Sequence, residues 1–130
     1  MDTSASIAAL IAEHEHHSIS RRHFSVDLRL PAIVLAETFA RLRRTFGQSA
    51  ATASAVVHPW TSRPTNVLRT PSEAVATVFA RAVELDLGGS IHDALIAQIC
   101  ADADVPLVTL DGRQHRLALA LGARSTFLLA

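Results

Sequence analysis

The sequence predicts an α/β fold, one domain with a central, mostly parallel β-sheet flanked by helices. Three observations carry this reading. The chain has 130 residues, the size of one ordinary domain, so residues 1–130 are expected to share one core. Short apolar runs bounded by turn residues alternate with longer segments of helical period. The C-terminal part runs helix, strand, helix, strand, an order that implies parallel strands joined by a crossover.

Ser4 is placed to cap a first helix over Ile7, Leu10 and Ile11, with at most a minimal strand before it. That helix has a polar end, from Glu13 to His17, where His14 and His17 stand i, i+3. Such a pair suits Zn²⁺ in principle, but a solvated helix end explains it as well. An apolar stretch near Leu28–Leu30 follows. Pro31 suits the first turn of a helix to about Phe46, in which Leu35, Phe39, Leu42 and Phe46 form a core stripe before Gly47 ends it. Residues 49–57 are Ala-rich and helical in character. Three prolines make 58–71 a loop, with a short strand expected at Asn66–Arg69 and Trp60 available for stacking or for packing over the core. Pro71 opens a helix through Val75, Val78, Phe79 and Val83. Gly88-Gly89 breaks the chain, and Ser90 is placed to cap a helix from Ile91 to Asp104 with Ile96, Ile99, Cys100 and Ala103 at helical spacing. Val105–Leu110 is the strongest strand, closed by the turn Asp111-Gly112. Arg113–Leu121 is a helix stopped by Gly122, and Ser125–Leu129 a final strand.

Composition excludes several classes. With 49% hydrophobic and 18% charged residues, the chain is neither disordered, collagen-like nor disulfide-stapled. Its 12 basic residues are all Arg and balance 12 acids, so no whole-molecule positive field holds nucleic acid and any phosphate binding must be local. The single Cys100 forms no intramolecular disulfide. No apolar stretch approaches the roughly 20 residues of a membrane span. Asp2, Glu13 and Glu15 stand where a signal peptide is basic or apolar, so a soluble, cytoplasmic protein is expected.

Chemistry is sought at acids that follow strands, because parallel α/β sheets place their sites at the carboxyl ends of strands. Asp111 follows Leu107–Leu110, and Asp2 precedes the first helix. An Asp-Gly turn and a frayed terminus are the plain alternatives. Glu37 follows the uncharged run Leu30–Ala36 and has Ile33, Val34 and Ala40 as helical neighbours, so it needs a partner, a proton or a metal. An ion pair with Arg41, four residues on, is one way to satisfy it. Asp93 closes a Ser90-x-x-Asp93 capping-box pattern, yet shares a stripe with Ile96, Ala97 and Cys100 that points it inward. Arg41, Arg43, Arg44, Arg63, Arg69, Arg113 and Arg116 are candidates for phosphate contacts, with Arg113 and Arg116 favoured because they follow Asp111.

Asp2-Thr3-Ser4, Ala36-Glu37-Thr38, Ile91–Ala97 and Leu107–Asp111, in this order, resemble a PIN domain, and more closely the VapC-type ribonuclease toxins of toxin–antitoxin pairs. The resemblance implies a metal-dependent endoribonuclease with an acidic quartet, Asp2, Glu37, Asp93 and Asp111. Asp2, Asp93 and Asp111 would be metal ligands and Glu37 would act through a metal-bound water. It also implies an RNA substrate, products with a 5′-phosphate and a 3′-hydroxyl, a cognate antitoxin and a homodimer. Oxygen-only ligands suit Mg²⁺ or Mn²⁺. Thr3, Ser4 and Thr109 are candidates to orient the acids. In one respect the chain departs from the family: only Met1 precedes Asp2, so the first strand is nearly absent and a loosely held Asp2 with low activity is expected. The rival expectation is a PIN-fold interaction module acting through antitoxin or ribonucleoprotein binding, which the short first strand and zero net charge favour.

Overall fold

A computed structural model describes residues 1–88 and 91–130. Helix α1 (Thr3–Leu10) starts from an extended Asp2 whose carboxylate accepts the Ala5 N–H, so Asp2 rather than Ser4 is the cap. It stops at Leu10, and the polar segment expected at its end instead turns into a separate α2 (His17–Arg21). The His16 N–H donates to His14 Nδ1 in that turn, and His17 Nδ1 meets the Ala8 carbonyl at 2.9 Å, tying α2 back onto α1.

Leu30–Pro31 form β1, leading directly into α3 (Ala32–Arg44), which Gly47 follows in the left-handed conformation at φ 62°. Helix α4 (Ala50–Thr61) is longer than its sequence suggests because it continues through Pro59. The buried Trp60 offsets the hydrogen bond that Pro59 removes: its Nε1 donates to the Leu28 carbonyl at 3.1 Å, and its ring meets Phe24 edge-on at 5.2 Å. A 3₁₀ turn (Pro64–Asn66) leads into β2 (Val67–Leu68), inside the strand expected at 66–69. Then come α5 (Ser72–Glu84), α6 (Ile91–Asp102), β3 (Leu107–Thr109), α7 (Gly112–Ala120) and β4 (Ser125–Phe127). The expected cap Ser90 and Gly89 of the breaker lie outside the described residues.

The fold is α/β, and its strands pair in parallel, β1 with β2 (Leu30 opposite Val67) and β3 with β4 (Leu107 opposite Ser125, Thr109 opposite Phe127). Among the described residues the sheet is two short pairs rather than one continuous ladder. Proline explains part of this, since Pro106 has no N–H to donate and β3 begins only after it. Met1 and Asp2 add one rung, the Asp2 N–H donating to the Val108 carbonyl at 2.9 Å. Strand alternation then divides the core. Leu107 joins Val34, Val78, Ala94 and Ala97 on one side, whereas Val108 packs with Met1, Leu30, Val57 and Trp60 on the other. Among the described residues no helix is long and apolar enough to cross a membrane.

Candidate acidic site

The four sequence-predicted acids come from four separate stretches of chain and line one cleft of about 350 Å³. Asp2 stands at the start of α1, Glu37 within α3, Asp93 in the first turn of α6 and Asp111 before α7. Each is positioned by local chemistry. The core stripe of α3, with Leu35 and Leu42 buried and Phe39 partly so, turns Glu37 to the opposite side, toward the cleft. Asp111 accepts the Arg113 N–H at 2.8 Å through Oδ1, so the expected Asp-Gly turn is also the cap of α7.

Asp2 is not loosely held. It is only 5% exposed, and its carboxylate accepts from Ser4 Oγ at 2.8 Å, from the Ala5 N–H at 2.9 Å and from Thr109 Oγ1 at 2.5 Å. Thr109 Oγ1 in turn accepts the Asp111 N–H at 2.9 Å, so one hydroxyl couples two of the acids. Ser4 Oγ also accepts the Leu110 N–H at 3.3 Å, stitching α1 to the end of β3. Neighbouring side chains and β3 therefore fix Asp2 in place. Glu37 is held by Thr3, whose Oγ1 donates to Oε2 at 2.5 Å, and the ion pairs among the described residues do not include Glu37–Arg41. Thr3, Ser4 and Thr109 all hold acids.

The acids lie close enough to repel one another. Burial pushes the Asp93 carboxyl above its ordinary value, and repulsion from Asp111, Glu37 and Asp2 adds to this while Arg113 opposes it. Burial also raises Asp2, against hydrogen bonds from Thr109, Ala5 and Ser4 that favour the charged form. Among the described residues no three His, Cys, Asp or Glu side chains are drawn together tightly enough to hold an ion as they stand. The donor set nevertheless fits a hard divalent cation: the cleft offers carboxylate and hydroxyl oxygens and no His or Cys, and mutually repelling carboxylates favour a cation between them.

Sequence reasoning missed Gln114. It is 1% exposed, and its Nε2 donates to the Asp93 carbonyl at 3.0 Å while its own N–H approaches Asp111 Oδ1 at 3.5 Å. It thus ties the turn carrying Asp93 to the cap formed by Asp111. A signal existed, since Gln114 is the polar member of the buried stripe Gln114, Ala118, Leu121 at i, i+4, i+7. The arginines also sort differently from expectation. Arg41 and Arg44 line the cleft, whereas Arg113 is mostly in solvent and only 3.8 Å from Asp111. The histidine cluster stays apart from the acids, with His17 engaged by Ala8. Trp60 belongs to the core.

A family model described as PIN domain matches residues 1–119. No curated protein matches the chain.

Proposed function

The chain belongs to the PIN-domain family, whose members are generally nucleases, and from that premise we propose that it is a metal-dependent endoribonuclease of the VapC type, the toxin of a toxin–antitoxin pair acting in the cytoplasm. The observation that carries this reading is the convergence of Asp2, Glu37, Asp93 and Asp111 on one cleft from four stretches of chain. Asp2, Asp93 and Asp111 are the residues that would hold Mg²⁺ or Mn²⁺. Such an ion supplies charge neutralisation at phosphate and lowers the pKa of water. Glu37, fixed through Oε2 by Thr3, takes the proton of the attacking water at Oε1. The water oxygen bonds to phosphorus as the P–O3′ bond breaks, and solvent protonates the departing 3′-oxygen. The hydroxyls of Thr109 and Ser4 keep Asp2 oriented throughout, and Gln114 keeps Asp93 in register with Asp111. An antitoxin would silence the site with a basic side chain reaching these acids, and the toxin would act as a homodimer.

The test is cleavage of a mixed single-stranded RNA pool by the purified, antitoxin-free protein in Mg²⁺ or Mn²⁺. Products bearing 5′-phosphates are expected, with cleavage lost on chelation and reduced at least about 10–100-fold in Asp93→Asn, the range for loss of a group that supports a metal site. A folded protein that binds a partner but cuts no RNA under these conditions would overturn the enzyme reading in favour of an interaction module.

A further inference from the structure

We infer that Arg41 and Arg44 of α3 form a clamp for the backbone phosphates of a single-stranded nucleic acid, holding those that flank the linkage over the acids. This inference rests on the nuclease reading above. Three observations carry it. At 3.6 residues per turn, Glu37, Arg41 and Arg44 fall within about 60° of one another around α3, opposite its core stripe. The two guanidinium-bearing residues therefore stand about 6 Å and about 10 Å along the helix axis from the acid, both lining the cleft that holds the quartet.

Second, neither charge is spent within the protein. Arg41 is spaced to pair with Glu37, but Thr3 takes that carboxylate instead, and among the described residues neither Arg41 nor Arg44 forms an ion pair. Third, Arg43 accounts for the ordinary use of arginine at a helix end: its Nη1 donates to the Gln48 carbonyl at 2.8 Å, closing the turn after α3. Arg41 and Arg44 also stand in the last turn, where the helix dipole favours a cation, but unlike Arg43 they line the cleft with the four acids, an arrangement that suits a polyanion approaching a negative centre. Because the net charge is zero, such attraction has to be local. Guanidinium is also the side chain best matched to phosphate oxygens.

Binding of a short fluorescent single-stranded RNA to the full chain, followed by anisotropy in chelator over a range of salt, tests this without any cleavage. The same acids are present in every variant, so differences report the arginines alone. Each phosphate contact contributes about 0.7 to the slope of log affinity against log salt, so Arg41→Gln/Arg44→Gln is expected to lower the slope by about 1.4 and Arg43→Gln to leave it unchanged. An unchanged slope in the double variant, an equal fall in Arg43→Gln, or no salt-dependent binding by the wild type would overturn the clamp. Displacement of the RNA by polyglutamate at equal charge would instead assign the stripe to an acidic protein segment. A wild type whose salt slope falls by about 1.4 in the double variant but which cuts no RNA in Mg²⁺ or Mn²⁺ sinks the nuclease reading and leaves the clamp standing. Cleavage by the wild type with KM and slope unaltered in the double variant does the reverse.

Discussion

Thr109 links two of the four acids through a single hydroxyl. Its hydroxyl donates to Asp2 Oδ2 and accepts the Asp111 N–H, and the residue is fully buried. Thr109→Val keeps the shape and removes both bonds, leaving the Asp111 N–H without its acceptor, at about 1–3 kcal/mol, and Asp2 Oδ2 with only the 3.0 Å bond from Ser4 Oγ. Thermal unfolding of Thr109→Val is expected well below the wild type, with Thr109→Ser recovering most of the loss because the hydroxyl returns. Equal stability of the valine and serine variants would mean that this bridge contributes nothing. At this scale the sequence was informative about identity and silent about partnership. The four acids stood out because each sat in an unexpected context, Glu37 after seven uncharged residues above all. That Thr3 and not Arg41 satisfies Glu37 was not legible, because Thr3 is 34 residues away and only the packing of α1 on α3 brings it there.

Elements were legible where local signals and tertiary packing agree. The helix from Ile91 and the parallel pairing of the last two strands follow from periodicity and order, and the structure has both. Helix α4 exceeds its expected length because Pro59 is a local stop signal that Trp60 overrides. Trp60→Phe isolates this override. It keeps most of the apolar ring but leaves the Leu28 carbonyl without its 3.1 Å donor, so a loss of about 1–3 kcal/mol is expected in denaturant unfolding. Trp60→Ala also opens a cavity and should cost about 3–5 kcal/mol. If both variants unfold at the wild-type midpoint, Trp60 does not anchor the helix through its proline. The division of the first segment into α1 and α2 was illegible for a related reason: a run of Glu and His has no apolar period to mark a break, and the turn is closed by His14 and His17 side chains.

For the molecule as a whole, the acidic cleft trades stability for charge concentration. Burial holds Asp2 and Asp93 protonated to higher pH in the folded chain than in the unfolded one, and like charge reinforces this at Asp93. Between the ordinary carboxyl value of 3.8 and the raised folded values, the native state binds more protons than the unfolded state. Stability from these two groups therefore falls as pH rises through that window, and the penalty is complete once pH is above the raised values. Asp93→Asn removes the charge without removing the side chain, so in chelator it should raise the unfolding temperature at neutral pH and change it little at the acid end of the window. A cation bound by the native site acts with the opposite sign. It competes with protons, so added Mg²⁺ or Mn²⁺ should stabilise the wild type more at neutral pH than near pH 4, by about 2.7 kcal/mol when its concentration is a hundred times its Kd. The same addition should do much less for Asp93→Asn. Differential scanning fluorimetry across pH, with and without the ion, separates these cases: stabilisation that is equal at both pH values and in both proteins would place the ion elsewhere on the surface.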